Sequence, residues 1–548
     1  MTGPRSNWGS RAGPAGLVAR ALGTVLLAAI AVPGARAQTV FLPRLSASAV
    51  YTDNIDLAPD GARQEDYIGV VTPGLHFDHT SLKLHTGLDY DLQALRFAHT
   101  QTGTSLFHHG NFDTELTMLP DWLTLGLNLT REQSSSSPNA ATNTNSLFPT
   151  GDVANRTFGG ATLDLAHKFR LLRFDVRYIQ AFVKNQQTNF DNPNLQNSRD
   201  RDYSATLGSV DRNAKFTWDG QYSRSQTDYV RAQRYLNESA TLELGYRVLP
   251  DWRLIARGGA ESDPNKGIGR GGLGSTSYAG GFDWVPSVRD ELRALVGKRF
   301  YGTSYEGLAR HTSRILELSA SYLEQPTTED NRYVAGGLGE APLPLTPTFP
   351  GNQVGPGGNV VGPGAGATGA IGPGVLSDFA RLTSDVFLLK ELTARAALRG
   401  RVTSIGLTLT SEERQYITYN GVQVAGTGIV PPTDKTRGAD LNITRRFGPK
   451  IDASLDASVS KVSLLEGGSY REQRYTFTVT DRIGVRSSLV LRLDHDQRLG
   501  GIGEFKANMV ALSFQLGVNG PTAGGGMPGG GGYGAPGIGT QPGGYPTH

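Results

Sequence analysis

The chain of 548 residues contains no cysteine, which excludes disulfides, thiolate metal sites and a cysteine nucleophile. Beyond the N-terminus no run approaches 18 apolar residues, so no segment reads as a membrane-crossing helix. Hydrophobic residues make up only 38%, too few for a helical membrane protein but too many, with the aromatics, for an unfolded chain. Length alone suggests three or four soluble domains of roughly 100–200 residues. The residue pattern argues instead for one large closed sheet.

The N-terminus has the layout of a secretory signal peptide over 1–37. Arg5, Arg11 and Arg20 supply positive charge, Ala21 to Val32 a short apolar core, and Ala35-Arg36-Ala37 a cleavage site before Gln38. The core is too short to anchor a chain, which takes about 20 apolar residues. The segment holds four arginines and no acid, so 53 basic and 50 acidic residues become 49 and 50 after cleavage. The near balance removes the global support for a nucleic-acid partner.

What recurs after Gln38 is alternation. Leu82, Leu84, Leu88, Tyr90 and Leu92 point one way, and Lys83, His85, Asp89, Asp91 and Gln93 the other. Leu123, Leu125, Leu127 and Leu129 alternate with Thr124, Gly126, Asn128 and Thr130. The same holds for Phe174, Val176 and Tyr178 against Arg173, Asp175 and Arg177, for 241–248, for 451–460 and for 488–494. Strand side chains change face at every residue, so each segment has one apolar and one polar face.

A soluble sandwich would alternate too, but its interior must be apolar. Here the connections alternate short and long. Pro120-Asp121, 170–172, 211–213, Pro250-Asp251, 286–289, 448–450 and 482–485 are short. Polar loops such as 131–156, 185–202, 262–277 and 414–437 lie between them. Outer-membrane barrels have short periplasmic turns and long outer loops. Trp122, Trp218, Trp252 and Trp284 all lie near short turns, where interfacial rings belong.

The reading is all-β: a transmembrane antiparallel up-and-down β-barrel of about 20–22 strands over 38–518, in the bacterial outer membrane. The count is odd by one, because a strand near 312–323 runs inward counted from the start and outward counted from the end. A strand hidden within or beside 324–380 would restore parity. That stretch contains a Gly/Pro-rich block, Gly336 to Gly374, which cannot be regular sheet throughout and is read as an outer loop or a lumenal plug. The Gly/Pro-rich tail 519–548 is expected to be disordered.

Catalytic, cofactor and metal residues are expected to be absent. Gly267, Gly269 and Gly272 match a dinucleotide fingerprint, but no helix follows to hold a phosphate. His76 and His79 have odd spacing and face opposite sides, as do the adjacent His108 and His109. No G-x-S-x-G or H-E-x-x-H occurs. The polar faces make Asp89, Asp91, Arg173, Asp175, Arg177, Arg247, Arg492 and Asp494 candidate lumen-lining residues, which select a solute or pair across strands.

Tyr51-Thr52-Asp53-Asn54-Ile55 and Leu57-Ala58-Pro59 precede Thr72-Pro73-Gly74-Leu75 and Gly87-Leu88-Asp89-Tyr90. Later come Leu398-Arg399-Gly400-Arg401 and Ser411-Glu412-Glu413-Arg414. In these residues and in layout the chain resembles the outer-membrane β-barrel porins associated with PEP-CTERM/exosortase and exopolysaccharide loci. It departs at Val402, where the family-like turn has a second arginine, and in its Gly/Pro block and tail. The resemblance implies a role near polysaccharide export and no catalytic residues.

The leading expectation is therefore a pore or export conduit. A structural or adhesive barrel whose loops bind partners or glycans is the alternative, and an outer-membrane enzyme a weaker one. Expected partners are outer-membrane lipid, the barrel-assembly machinery and polysaccharide or export-complex components, with no nucleic acid.

Overall fold

The computed structural model describes residues 38–100, 104–135, 153–187, 197–211, 214–230, 234–262, 272–332, 385–419, 422–423, 432–464, 468–500 and 503–517, with two short strands inside 353–361. The segment 1–37, nearly all of the Gly/Pro block and the tail 519–548 lie outside the described residues.

The chain opens with β1 (Gln38–Thr52), β2 (Asp66–Thr80), β3 (Leu84–Phe97), β4 (Thr104–Leu119) and β5 (Leu123–Ser135). Next come β6 (Val153–Lys168), β7 (Leu172–Gln187), β8 (Ser198–Ser209), β9 (Phe216–Tyr229) and β10 (Tyr235–Leu249). Then follow β11 (Trp252–Glu261), β12 (Ser275–Ser287), β13 (Asp290–Arg299), β14 (Gly302–Thr312) and β15 (Leu316–Thr328). Two-residue strands β16 (Gln353–Val354) and β17 (Val360–Val361) pair only with each other. Beyond them lie β18 (Val386–Arg399), β19 (Thr403–Tyr416), the small pair β20 (Thr418–Tyr419) and β21 (Val422–Gln423), and β22 (Thr433–Phe447). β23 (Ile451–Ser463), β24 (Ser469–Arg482), β25 (Ser487–Leu499) and β26 (Phe505–Leu516) complete the chain.

Twenty-two of these strands form one antiparallel sheet. It closes where β1 pairs with β26, from Leu45 opposite Leu516 to Thr52 opposite Met509. Closure leaves no wall strand with an unpaired edge, which hydrocarbon would punish by several kcal/mol per orphaned backbone group, about the cost of a lost buried hydrogen bond. Leu116, Leu163, Leu207, Leu242, Leu254, Leu409, Leu455, Leu491 and Leu512 are all exposed on the outer face. An apolar belt outside a closed sheet is the solution a bilayer selects, and the protein is a bacterial outer-membrane barrel.

Parity is restored, though not within 324–380. β15 pairs directly with β18 along its whole length, from Leu316 opposite Leu398 to Thr328 opposite Val386. No wall strand stands between them. The short-long rule breaks elsewhere, at the outer turn Phe300-Tyr301, where Arg299 pairs with Gly302. Gly302 has φ 117°, a conformation open to glycine at little cost. Two residues at an outer connection hide a strand boundary from any reading that expects a long loop there.

The strands also run longer than the sequence suggests, 13–16 residues for β1 to β7. Crossing the bilayer needs about 9–11. Their outer arms therefore project beyond the hydrocarbon and consume residues read as loop at 131–156, 185–202 and 414–437. At the inner end Leu82 and Lys83 leave the strand for the turn before β3, where Leu82 is 91% exposed.

Candidate functional site

Register defines the lumen. Asp89 and Asp91 on β3 share a face with Arg44 of β1, whose guanidinium meets each carboxylate at 3.0 Å. His76 meets Asp89 at 2.9 Å, on the same inner face. Gly74 makes this possible: a Cβ there would lie 2.0 Å from the Asp91 carboxylate. Arg173 pairs with Asp219, and Arg177 with Asp164. Asp175 lies between those arginines on β7, and Arg247 opposite Arg253 on β11. Arg492 pairs with Asp494 at 2.8 Å. All eight candidates lie on the face opposite the exposed apolar belt, and five of them hold a partner on another strand, adjacent or next but one.

The four tryptophans lie on the other face, near the inner turns. Trp122 stacks on His167 at 3.8 Å between centroids, and Trp252 packs against Trp284 at 5.8 Å. Trp218 lies opposite Leu244, itself exposed in the outer belt. His79 bonds Thr39 on that outward face, and His108 bonds Tyr90. Among the described residues no group of three or more His, Asp or Glu is arranged to hold a metal.

The inner half of the lumen is polar, whereas its outer part joins buried ion pairs to apolar clusters. Val50, Ile68, Val70, Leu95, Phe97, Phe505, Met509 and Ala511 face inward and are buried together. The loop 53–65 folds over them and inserts Ile55 and Leu57. Asn54 pins this loop: its side-chain amide donates to the carbonyls of Ala58 (2.7 Å) and Lys506 (2.9 Å), and its oxygen accepts from the Ala58 N–H (2.8 Å). A second inward cluster joins Phe158, Ile179, Ala181 and Val183. Asn54→Ala should orphan three part-buried backbone groups, at no more than about 1–3 kcal/mol each before water re-enters. We expect trypsin to cut at Arg63 much faster in that variant, with the barrel itself still intact.

The centre of the site is the chain leaving β15. Past Thr328, the last residue paired with β18, residues 329–332 turn into the lumen. Thr328 accepts the Asn331 N–H through its hydroxyl (3.1 Å) and so caps a helical turn over 329–332. Asp330 meets Arg156 of β6 at 2.6 Å. Asn331 donates to Ser225 of β9 at 2.8 Å, and Tyr235 of β10 donates to the Pro326 carbonyl at 3.0 Å. Arg332 grips both oxygens of Glu412 on β19, each at 3.1 Å. Arg414 bonds Glu412 and lies 3.2 Å from Glu329, with its guanidinium 4.9 Å above the Phe387 ring. Burial pushes the Asp330 carboxyl above its ordinary value, and Arg156 pulls it the other way.

β6 and β19 stand half the ring apart. A round barrel of 22 strands, about 4.8 Å apart and tilted about 40°, would be roughly 40 Å across. The backbone from 330 to 332 covers only about 7 Å. One strap holding both walls therefore requires them to draw together at the outer mouth. Tyr235 of β10 packing with Val386 and Ile417 shows the same approach. The bend that permits it lies at β10–β14. There Arg257 and Arg293 share Glu243, and Arg257 also meets Glu306 at 2.8 Å, reaching over two intervening strands. Gly281 keeps β12 out of the way, since a Cβ there would lie 1.9 Å from the Ala294 carbonyl.

Sequence reasoning did not single out Arg156, Asp330 or Arg332. Glu412 and Arg414 were noticed only as part of the Ser411–Arg414 motif. That motif anchors the strap, Asn54 to Leu57 fills the mouth, and Gly74 and Asp89 surround Arg44.

No family model matches the chain, and no curated protein sequence does. Solved structures with a similar fold include OccK2 (OpdF) of Pseudomonas aeruginosa, at 11% identity and TM-score 0.34, covering 88% of this chain and 98% of that one. A BenF-like porin from Pseudomonas fluorescens Pf-5 is similar at 9% identity and TM-score 0.34, over 87% and 99%. The FrpB iron transporter of Neisseria meningitidis is similar at 9% identity and TM-score 0.42, over 87% and 81%. At these values the likeness is one of β-barrel fold alone.

Proposed function

We propose that this barrel is an outer-membrane pore whose passage is narrowed at the outer mouth by the 329–332 strap and the 53–65 loop. One observation carries the reading: a single short segment joins half-opposed walls through buried ion pairs, Arg156–Asp330 and Arg332–Glu412. Beneath it the lumen is lined by paired charges and hydroxyls, a surface suited to water and polar solutes. Lining by Asp89, Asp91, Arg173, Asp175, Arg177, Arg247, Arg492 and Asp494 belongs to this proposal. So does the place of the four tryptophans at the inner interface.

Export of exopolysaccharide, the finer role implied by the resemblance, fits this geometry on one condition. A sugar polymer is wide and continuous, so the strap must leave the lumen while it passes. Ion pairs favour such a device, because water can take over both partners when the segment swings out. Lipid, the assembly machinery and export components remain the partners expected.

The test is conductance in planar bilayers with the purified mature chain. A narrow channel, passing small ions and excluding oligosaccharides, is the expected result. No conductance from the wild type or from a strap-released variant would reject the pore and favour a structural or adhesive barrel.

A further inference from the structure

On the outward face of β22, β23 and β24, at the outer end, three cations stand in one row. Arg437 lies directly opposite Lys461, and Lys461 directly opposite Arg471. All three are exposed. Among the described residues none of the three side chains has an ion pair or hydrogen bond. Residues directly opposite on adjacent strands have Cβ atoms about 4.5–5.5 Å apart, and like charges there destabilise the pairing.

The neighbouring wall shows how such charge is ordinarily handled. Lys390 and Lys435 flank Glu413, at 3.6 and 3.0 Å. Farther round, Asp228 sits between Arg201 and Arg234. The row on β22–β24 is the exception, with three cations and no acid.

Its height is informative. Two residues inward on the same face stand Ala439, Val459 and Gln473, paired in one row. Tyr475 follows, 40% exposed, with its hydroxyl directed to Gln473 at 3.5 Å. Leu441, Leu455 and Phe477 continue the apolar belt inward. A tyrosine at headgroup level marks the edge of the hydrocarbon. The cations therefore stand just outside the acyl chains, against the headgroups of the outer leaflet.

We propose that Arg437, Lys461 and Arg471 form a binding site for the phosphate of an outer-leaflet glycolipid whose acyl chains lie on the belt below. A phosphate monoester carries nearly two negative charges and three acceptor oxygens. It relieves the repulsion within the row and takes planar, bidentate bonds from the two arginines, with Lys461 between them as a point charge. The apolar face beneath, from Ala439 to Leu455, receives the chains. Both halves of an amphiphile are thus matched at one place on the barrel.

The test uses the full mature chain in nonionic detergent, with bisphosphorylated lipid A as the probe. Native mass spectrometry and the heat-induced mobility shift report binding. The wild type should take up this lipid and unfold at higher temperature with it. Replacing all three by glutamine (Arg437→Gln, Lys461→Gln, Arg471→Gln) should weaken uptake by at least about tenfold, since each basic residue near an anionic membrane surface contributes about a factor of five. The triple variant should fold as the wild type does when the lipid is absent. If it does not, Lys461→Gln alone, at the centre of the row, carries the comparison. Lipid A stripped of phosphate should bind the wild type no better than the variant. Equal uptake by wild type and variant would overturn the site. Equal affinity for phosphatidylglycerol micelles, or full displacement by inorganic phosphate, would also overturn it, as a general anion effect.

Discussion

Releasing the strap should raise single-channel conductance several-fold. The variant removes the two arginine ties at once, Arg156→Ala with Arg332→Ala. Asp330 is only 5% exposed and Glu412 only 4%. Removing one partner of a buried pair costs about 3–5 kcal/mol, because the other charge is left uncompensated in poor solvent. Asp330 cannot stay where it is at that cost. Glu412 retains Arg414, but Asp330 loses its arginine and belongs to a segment free to move. The cheapest relief is for residues 329–332 to swing toward water. The walls of β6 and β19 then lose their tie, and the mouth opens toward the width natural to 22 strands. Conductance should rise, and sugars excluded by the wild type should enter. The exchanged pair, Arg156→Asp with Asp330→Arg, should keep conductance low, which separates loss of the tie from loss of charge. Unchanged conductance in an intact barrel would mean that the strap does not set the narrowest point.

Much of the wall was legible because alternation is a local signal. Leu123 to Thr130 alternates without a break, and the structure keeps that register from β4 to β6. The mouth was harder to read because two constraints overlap there. On β7 the inward face carries Arg173, Asp175 and Arg177 and then Ile179, Ala181 and Val183, while Tyr178 and Phe182 still point outward. From Tyr178 to Val183 the strand is apolar on both faces except at Gln180. Such a run marks burial on both sides, so the signal of an internal core was present. It was masked by the expectation that one face of a barrel strand stays polar throughout.

The strap escaped for a different reason. Glu329-Asp330-Asn331-Arg332 is a charged run after a strand, and most such runs are solvated loop. Only the fold reveals that Arg156, far away in sequence, and Glu412, beyond the Gly/Pro block, stand close enough to neutralise it. Pairings between half-opposed walls leave no periodic trace. The two-residue outer turn at Phe300-Tyr301 is a similar case: an aromatic pair before a glycine reads as strand until Gly302 takes a positive φ.

The lipid face itself can be tested at a single pair of adjacent residues. Leu127 on β5 points outward in a row with Leu125, whose cross-strand neighbours Leu116 and Leu163 are exposed at 37% and 40%. Asn128 points inward, between Asp113 of β4 and Gly160 of β6. Leu127 lies four residues beyond the start of its strand, about 13 Å along it from the tryptophan end, so an arginine there meets the middle of the bilayer. The cost at the midplane is about 2–4 kcal/mol. Leu127→Arg should therefore shift the urea midpoint of refolding into lipid vesicles strongly downward. Asn128→Arg places the same charge in the wet lumen, beside the Asp113 carboxylate and over a glycine that leaves room. Its effect should stay within about 1 kcal/mol, the scale of an exposed ion pair. The contrast depends on the register alone, since the two positions share the same strand and height. Equal destabilisation would place both residues in one environment, and the assignment of inside and outside along β4–β6 would fail.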